Sequence, residues 1–318
     1  MIEVLTAGLC PTIQDYPGRQ GYWKVGLPPS GPMDSLSSRI ANKLVGNKKE
    51  AAVIEITVMG PTLCFHSDEV IALTGAVFGA TLNGSPVPWW KPFFVHSGDE
   101  LNVGAVTGRG FRCYLAVRGG IEAPKYLGSR SAFVSGGIGG INGKAISKGD
   151  RLETASDTET KKIPDCGLKC EVQFPEQWVI GAIPGPHSCP DYILKEYQNT
   201  FFGSEFKVNS NSNRMGIRLD GPKPLFARKD GGAGGSHPSN IVDSPYPMGA
   251  ITLSGDTPII LCADGPSFGG FITFATVPRG EMWKLGQLKL GETVRFEKLS
   301  MEEAVRREQR QERILESL

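Results

Sequence analysis

Short apolar runs separated by glycine- and proline-rich turns limit the fold of this chain more than any other feature of its sequence. The 318 residues include 41 Gly and 23 Pro, which follow no fixed period. Apolar residues make up 40% of the chain, enough for sizeable cores. Because apolar runs of strand length between turn residues favour β structure, the sequence predicts a mainly β, turn-rich protein.

The first half of the chain contains many of these runs. One helix is predicted at 35–44, where Asp34 or Ser35 can cap it and apolar residues recur on one face. The Asn83-Gly84 dipeptide lies between two short runs and predicts a tight hairpin. Strands are predicted at 2–5, 53–58, 62–65, 70–74, 93–95, 100–103, 113–117 and 151–153.

The second half returns to the same pattern after a polar stretch at 155–170. A short helix is predicted at 190–202, and the capping-box pattern Ser300-Met-Glu-Glu303 predicts a charged helix to residue 318. Strands are predicted at 178–183, 205–208, 214–219, 250–253, 258–262, 273–277 and 291–296. We therefore predict a first β-rich domain at 1–154, a second at 171–299 and a linker helix at 300–318.

Charge and composition exclude several classes of partner. The formal net charge of +1 provides no basic field, so neither nucleic acid nor a membrane is expected to bind. The sequence shows neither a signal-peptide pattern nor an apolar run long enough to span a bilayer. Seven scattered Cys indicate reduced side chains in a cytoplasmic protein. The close pair Cys166 and Cys170 lacks a nearby His, and no metal site is predicted.

Three polar, glycine-rich loops in the second half carry the best candidates for chemistry. Each lies beside a predicted strand and combines polar side chains with glycine amides. This mixture predicts a polar pocket for a small substrate that forms hydrogen bonds. The loops are Asn211-Ser-Asn-Arg-Met-Gly-Ile-Arg218, Asp230-Gly-Gly-Ala-Gly-Gly-Ser-His-Pro-Ser-Asn240 and Asp264-Gly-Pro-Ser-Phe-Gly-Gly270.

Each loop also has a purely structural interpretation. Arg214 and Arg218 are predicted on one face of a strand, where they suit either surface ion pairs or a carboxylate or ureido oxygen. His237 is either a turn residue or a catalyst, and Asp264 either closes a turn or faces a pocket. The glycine spacing of the second loop matches neither a P-loop nor a dinucleotide fingerprint.

The same loops and several other segments resemble urea carboxylase, in the region of its carboxyltransferase subdomains A and B. The similarity covers residues 2–297. The wider family, named allophanate hydrolase subunit 2, includes a subunit of bacterial 5-oxoprolinase and an antagonist of a kinase inhibitor. The motifs that carry the resemblance are Asp15-Tyr-Pro-Gly-Arg19, Pro28-Pro-Ser-Gly-Pro-Met-Asp34, Leu73-Thr-Gly-Ala76, Tyr114-Leu-Ala-Val-Arg-Gly-Gly120, Leu127-Gly-Ser-Arg-Ser131, Asn211-Ser-Asn-Arg214, Gly221-Pro-Lys-Pro224, His237-Pro-Ser-Asn-Ile241 and Asp264-Gly-Pro-Ser267.

This resemblance implies cyclophilin-like β units, of barrel or sandwich type, and a reaction in which carboxybiotin gives its carboxyl group to urea to form allophanate. It also implies biotin on a separate carrier, ATP used only by a separate biotin carboxylase, and a second carboxyltransferase half with subdomains C and D. The sequence contains no Met-Lys-Met biotinylation motif and no ATP-grasp-like segment. We therefore expect this chain to be one half of a carboxyltransferase for urea or a similar amide.

The resemblance and the loop chemistry together give candidate roles. Asp264, His237 and Arg218 are the predicted catalytic residues. Two departures from the family pattern, Ala233 for an acidic residue and Ser210 for Tyr, put substrate identity or activity in doubt. Substrate or biotin binding is predicted for Asn213, Arg214, Asn240, Ser267, Gly269 and Gly270.

Two other functions fit the same family. One is a subunit of an ATP-dependent 5-oxoprolinase, which opens its ring substrate with a partner and without biotin. The other is a non-catalytic protein that binds a homologous inhibitor in a stable complex. Ala233 in the middle loop favours this last interpretation slightly.

Overall fold

The computed structural model describes residues 1–155 and 171–317. Strands dominate the described residues, which confirms the mainly β prediction. The Cys166–Cys170 pair and most of the predicted polar boundary lie outside the described residues, and the division into domains at 154 and 171 stays a prediction.

The chain forms two compact units, and each is described here by itself. A short stretch near the N-terminus, Gly21–Pro28, belongs to the second unit rather than the first. Unit 1 consists of Met1–Gln20, Pro29–Phe174 and Ile314–Leu318, and unit 2 of Gly21–Pro28 and Pro175–Arg313.

Unit 1 contains two antiparallel sheets, whose strand orders are β11-β12-β1-β4-β9-β6-β7 and β2-β3-β10-β5-β8. Its core is built from buried aliphatic side chains such as Ile54, Leu73 and Leu115. All eight predicted strands of this half are present within two residues of their predicted ends. The strands are β1 (Ile2–Thr6), β2 (Thr12–Gln14), β3 (Val53–Thr57), β4 (Thr62–Phe65), β5 (Glu69–Gly75), β6 (Thr81–Leu82), β7 (Ser85–Pro86), β8 (Pro92–Val95), β9 (Glu100–Asn102), β10 (Arg112–Val117), β11 (Ile121–Glu122) and β12 (Arg151–Thr154).

Local sequence signals determine the turn and helix of unit 1. Helix α1 (Ser35–Leu44) begins at Asp34, whose carboxylate accepts hydrogen bonds from the backbone N–H groups of Leu36 and Ser37. Asn83 and Gly84 both have positive φ, as the two-residue hairpin between β6 and β7 requires. The predicted helix and hairpin are therefore both confirmed.

A buried polar network joins β3, β10 and the start of α1. Glu55 Oε2 accepts hydrogen bonds from the Tyr114 hydroxyl at 2.9 Å and from the Met33 N–H at 2.7 Å. The same hydroxyl accepts the Asp34 N–H at 2.7 Å, and Arg112 lies 3.6 Å from the other Glu55 oxygen. Burial, and next the Glu55 charge, raise the pKa of Tyr114 well above its usual value. The phenol therefore stays protonated and can serve as donor and acceptor together.

Unit 2 is built on a closed barrel of order β13-β20-β17-β18-β15-β14-β21. The parallel pairing of β13 with β21, from Trp178 opposite Val294 to Ala182 opposite Lys298, joins its first and last strands. The unit contains β13 (Trp178–Pro184), β14 (Glu205–Val208), β15 (Gly216–Asp220), β16 (Asn240–Pro245), β17 (Ala250–Ser254), β18 (Thr257–Leu261), β19 (Phe268–Phe271), β20 (Thr273–Thr276) and β21 (Thr293–Lys298).

Aromatic side chains fill the core of this unit. Helix α2 (Lys195–Gly203) begins five residues later than the sequence predicts, because residues 190–194 form a turn and a bridge from Ile193 to Phe226. Phe201 on α2 lies 4.6 to 4.9 Å, ring centre to ring centre, from three neighbouring rings. These rings belong to Phe206, Phe274 and Phe296.

Parts of the second and third polar loops form strands instead. β16 and β19 pair antiparallel in a two-stranded ribbon, with Asn240 opposite Phe271 and Ser244 opposite Gly269. The loop prediction is therefore wrong for Asn240 and for 268–270. The reason is that the backbone of polar β16 pairs with that of glycine-containing β19, more than twenty residues further along the chain, and local patterns do not reveal this pairing.

The remaining α-helices of the described chain are α3 (Met282–Leu285) and α4 (Met301–Ser317). The predicted capping box at the start of α4 is present, since Glu303 Oε2 accepts the Ser300 N–H and the Ser300 hydroxyl accepts the Glu303 N–H. Arg307 on this helix pairs with buried Glu281 at 3.2 Å and with Glu297 at 2.6 Å. These ion pairs fix the early turns of α4 to β21 and to the segment before α3.

We expect the substitution Tyr114→Phe to destabilise the protein by about 2 kcal/mol, because it leaves the Asp34 N–H without an acceptor and Glu55 with one donor fewer. Urea denaturation of the full chain measures the change in midpoint. Tyr126→Phe is the matched control, since Tyr126 is exposed, and it should shift the free energy of unfolding by less than about 0.5 kcal/mol. Equal effects of the two substitutions would contradict the network.

Candidate functional site

A buried ion pair joins the first and third polar loops. Arg214 Nε donates to Asp264 Oδ2 at 2.8 Å, and its Nη2 donates to Oδ1 at 3.2 Å. The two oxygens of one carboxylate thus meet the fork of one guanidinium, the geometry that makes such pairs strong. Asp264 is 5% exposed. The pair therefore provides a fixed donor–acceptor arrangement at the end of the barrel where β18 (Thr257–Leu261) ends.

Backbone geometry brings the two partners together. β15 and β18 pair until Gly216 opposite Leu261, and two further bonds extend the contact, from the Asp264 N–H to the Arg214 carbonyl and from the Cys262 N–H to the Met215 carbonyl. Gly265 then turns the chain where a Cβ would lie 2.8 Å from the Met215 carbonyl oxygen. Only glycine fits this close approach.

Asn213 shapes the turn before the strand. Its side-chain oxygen accepts the Met215 N–H at 2.8 Å, and its own N–H donates to the Gly216 carbonyl at 3.0 Å. This turn places Arg214 outside β15, so the prediction that Arg214 and Arg218 share a strand face is wrong. Arg218 lies within β15 between the buried Ile217 and Leu219, and its side chain is exposed on the opposite face.

Ser267 follows the ion pair and is 3% exposed. Its carbonyl accepts the Tyr246 N–H at 2.8 Å, whereas its buried hydroxyl has no hydrogen-bond partner within the described chain. Such an orphaned hydroxyl costs free energy unless something outside the chain binds it. Gly269 and Gly270 come next, on β19, where the ring of Tyr246 packs against Gly269.

His237 lies in a different group of side chains. Its Nδ1 is 2.8 Å from the Ser239 hydroxyl oxygen and also accepts the Ser239 N–H at 3.1 Å, while its Nε2 lies 3.9 Å from Asp256. The Ser239 hydroxyl accepts the Gly255 N–H in turn. Ser239 is fully buried, so this Ser–His–Asp series stabilises a turn and does not present a nucleophile.

Arg228 stabilises the start of the neighbouring strand, β16. Its guanidinium donates to the carbonyls of Pro238 and Asn240 and lies over the Tyr192 ring, 4.7 Å from its centre. His187 packs against the edge of the same ring and accepts the Thr273 N–H. Burial, and next the Arg228 charge, lower the pKa of His187 below its usual value.

The predicted site residues therefore form two groups rather than one. Asp256 and Asp264 flank opposite ends of β18, a strand of roughly 16 Å at 3.3 Å per residue. His237 belongs to the Asp256 end and a second group lies at the Asp264 end, whereas Asn240 lies on β16 opposite Phe271, the residue that follows Gly270. That second group comprises Asn213, Arg214, Asp264, Ser267, Gly269 and Gly270.

Sequence reasoning missed Tyr246, which contacts both Ser267 and β19, and Arg228, which fixes Pro238 and Asn240. Neither stands in a periodic pattern, and only the flanking prolines of Pro245-Tyr-Pro247 mark Tyr246 as unusual. In residues 1–155 and 171–317, no group of three or more His, Cys, Asp or Glu side chains suits a metal ion. Within the same ranges, no helix combines the length and apolar character that a membrane span needs.

Comparison with known families gives these residues a context. The model of the family described as "Carboxyltransferase domain, subdomain A and B" matches residues 25–298. The chain is 45% identical, over 99% of its length, to a urea amidolyase of Lachancea kluyveri, of which it spans 18%. It is 33% identical to a 5-oxoprolinase component of Escherichia coli, and this match covers all of the chain and 97% of that protein.

The fold comparison agrees with the sequence comparison. The crystal structure of the urea carboxylase of Kluyveromyces lactis matches 99% of this chain with a TM-score of 0.94 and 44% identity, and the match covers 29% of that larger chain. The chain thus spans less than a third of the urea amidolyase and urea carboxylase chains it matches.

Asp264→Asn should destabilise the protein by about 2 to 3 kcal/mol, because it leaves the largely buried Arg214 guanidinium without its counter-charge. Glu205→Gln is the control, since the Glu205–Arg295 pair is exposed, and it should cost less than about 1 kcal/mol. Chemical denaturation checks both values, and a small effect at Asp264 would contradict the importance of the pair.

His187 should make the protein less stable in mild acid. Because its pKa is lower in the folded than in the unfolded state, the unfolded chain binds more protons, and stability falls as the pH drops below about 6.5. His187→Asn keeps an acceptor for the Thr273 N–H but does not titrate. Denaturation midpoints between pH 7.5 and 5.5 should therefore fall less in this variant than in the wild type, and parallel curves would contradict the prediction.

Proposed function

Because the chain belongs to the family of carboxyltransferase domains with subdomains A and B, we propose that it is one half of an enzyme that transfers a carboxyl group from carboxybiotin to urea, forming allophanate. Two observations carry the proposal: Arg214 and Asp264 form a buried ion pair, and the buried hydroxyl of Ser267, in the same loop as Asp264, has no partner in the described part of the chain. These groups lie in a chain whose whole length resembles urea carboxylases. The proposal includes biotin on a separate carrier, in the cytoplasm.

The Asp264 end of the barrel suits a small amide chemically. Urea offers four N–H donors and one carbonyl acceptor. Each Asp264 oxygen accepts one hydrogen bond from Arg214 and retains a second lone-pair direction for a urea N–H. The Ser267 hydroxyl supplies an unused donor for a carbonyl or ureido oxygen. We assign the acceptor role to Asp264 and the donor role to Ser267 on this basis.

The same groups suit the ureido ring of biotin, because an orphaned buried donor fits an oxygen on which negative charge develops. Carboxybiotin, when bound, supplies the activated carboxyl group. Arg214 holds the Asp264 side chain in one orientation, Ser267 donates to the oxygen, and Gly269 and Gly270 are the proposed backbone donors. His237 lies at the Asp256 end and Arg218 is exposed on β15, and neither is assigned a step.

The proposed reaction needs partners that this chain does not supply. We propose a second carboxyltransferase half with subdomains C and D, a biotin carrier and a biotin carboxylase that consumes ATP. This composition agrees with the small share of the urea carboxylase chain that the present chain spans.

A reconstituted assay tests the proposal. This chain, its partner half, a carboxylated carrier and urea should yield allophanate, detected by mass spectrometry, and avidin should abolish the product. Ser267→Ala should lower kcat by about 100-fold, a loss typical of removing one donor to a developing oxyanion. Ser97→Ala, an exposed serine of unit 1, is the control and should not change kcat. Absence of allophanate from the complete mixture would overturn the proposal.

A second function is supported by a separate observation, the match over nearly the full length of a bacterial 5-oxoprolinase component. On this proposal the chain and a partner protein open 5-oxoproline with ATP and without biotin. Release of glutamate and ADP that avidin does not inhibit would favour it over carboxyl transfer.

A further inference from the structure

Tyr246 makes an unusual number of directed contacts for one residue. Its N–H donates to the Ser267 carbonyl at 2.8 Å, and its hydroxyl accepts the Phe271 N–H at 2.6 Å and donates to the Phe271 carbonyl at 2.9 Å. Its backbone thus fixes the start of the segment 267–271, and its side chain fixes the end. Tyr246 is 3% exposed, so water does not compete for these bonds.

The ring of Tyr246 spans the interval between these two ends. A Cβ at Gly269 would lie 2.5 Å from the ring carbon Cε2 and 2.8 Å from the hydroxyl oxygen. The glycine therefore allows the backbone of β19 to lie directly on the ring. Any lateral shift of the segment 267–271 would break the hydroxyl bonds and disturb this contact at once.

The phenol keeps its proton over an extended pH range. Burial raises the pKa of Tyr246, and the Asp243 charge adds to that rise. A phenolate would lose the bond to the Phe271 carbonyl, so protonation is a condition for the double contact.

A second contact reaches Tyr246 from the N-terminal stretch Gly21–Pro28. The indole Nε1–H of Trp23 donates to the Tyr246 carbonyl at 2.8 Å, across 223 positions of sequence. Trp23 lies in Gly21–Pro28, the stretch that belongs to unit 2. This N-terminal stretch thus supports the third polar loop through the backbone of a single residue, Tyr246.

We propose that Tyr246 is a positioning residue, which with Trp23 holds Ser267 and the amides of Gly269 and Gly270 in the orientation that carboxyl transfer needs. The inference rests on the proposed function for its catalytic part. The Ser267 hydroxyl has no partner in the described chain to orient it, so its position depends on the backbone that Tyr246 fixes. Misplacement of such a donor by a fraction of an ångström is enough to slow a reaction.

Two variants of the full chain separate the contacts. Tyr246→Phe removes only the hydroxyl and keeps the ring on Gly269, whereas Trp23→Phe removes the indole N–H donor together with part of the ring. Tyr126→Phe is the matched control, with an exposed hydroxyl in unit 1. Amide hydrogen exchange of the segment 267–271, measured by mass spectrometry, and steady-state kinetics with the partner half and carboxylated carrier are the two readouts.

Tyr246→Phe should speed amide exchange in 267–271 about tenfold, which corresponds to a loss of about 1.4 kcal/mol of local stability. It should lower kcat about tenfold with little change in KM for urea, under conditions where the denaturation midpoint shows the chain fully folded. Trp23→Phe should change both readouts in the same direction, and Tyr126→Phe should change neither.

Unchanged exchange in 267–271 would overturn the inference, and so would faster exchange with unchanged kcat per folded molecule. A purely structural role would instead spread faster exchange over the whole barrel. If the wild-type chain fails to carboxylate urea, the proposed function fails, and exchange in 267–271 then decides by itself whether Tyr246 and Trp23 hold this segment.

Discussion

Parallel pairing of β13 with β21 is the constraint on which the rest of unit 2 depends. It joins strands whose first residues lie more than a hundred positions apart, Trp178 opposite Val294, and it leaves the barrel without open edges at these strands. Once the barrel is closed, the direction and length of β18 are set. The two ends of that strand then fix where the polar loops meet, because Asp256 precedes it and Asp264 follows it.

Chemistry at the Asp264 end follows from the balance of buried polar groups. Arg214 and Asp264 satisfy each other through two bonds, so their burial is tolerated and their orientation is fixed. The Ser267 hydroxyl, in the same loop as Asp264, has no partner among the residues that the structure describes. A group with a fixed carboxylate and an unused donor differs from the Asp256 end, where His237 and Ser239 bond to each other and to the backbone. The two ends contain similar residue types, but at the Asp264 end the Ser267 hydroxyl is a buried donor without a partner among the described residues, and we therefore take that end as the candidate site.

Much of the fold could be predicted from sequence because its signals are local. Three predicted features depend only on residues within a few positions of each other, and all three are confirmed. They are the Asp34 cap, the Asn83-Gly84 hairpin and the Ser300–Glu303 capping box. The ribbon of β16 and β19 could not be predicted, since its two strands are rich in glycine and polar residues, and each pairs only with the other. The position of Arg214 could not be predicted either, because the turn formed by Asn213 places Arg214 before the start of β15.

The sequence by itself determined the class of this protein: a mainly β chain with motifs of a carboxyltransferase domain and with polar, glycine-rich loops. Only the tertiary structure decided which of those residues act together. It paired Arg214 with Asp264, separated both from His237 by the length of β18, and brought Trp23 to Tyr246 across 223 positions. Residue types and short spacings can be read from neighbouring positions of the chain. Contacts between distant segments form only when closure of the barrel fixes their register.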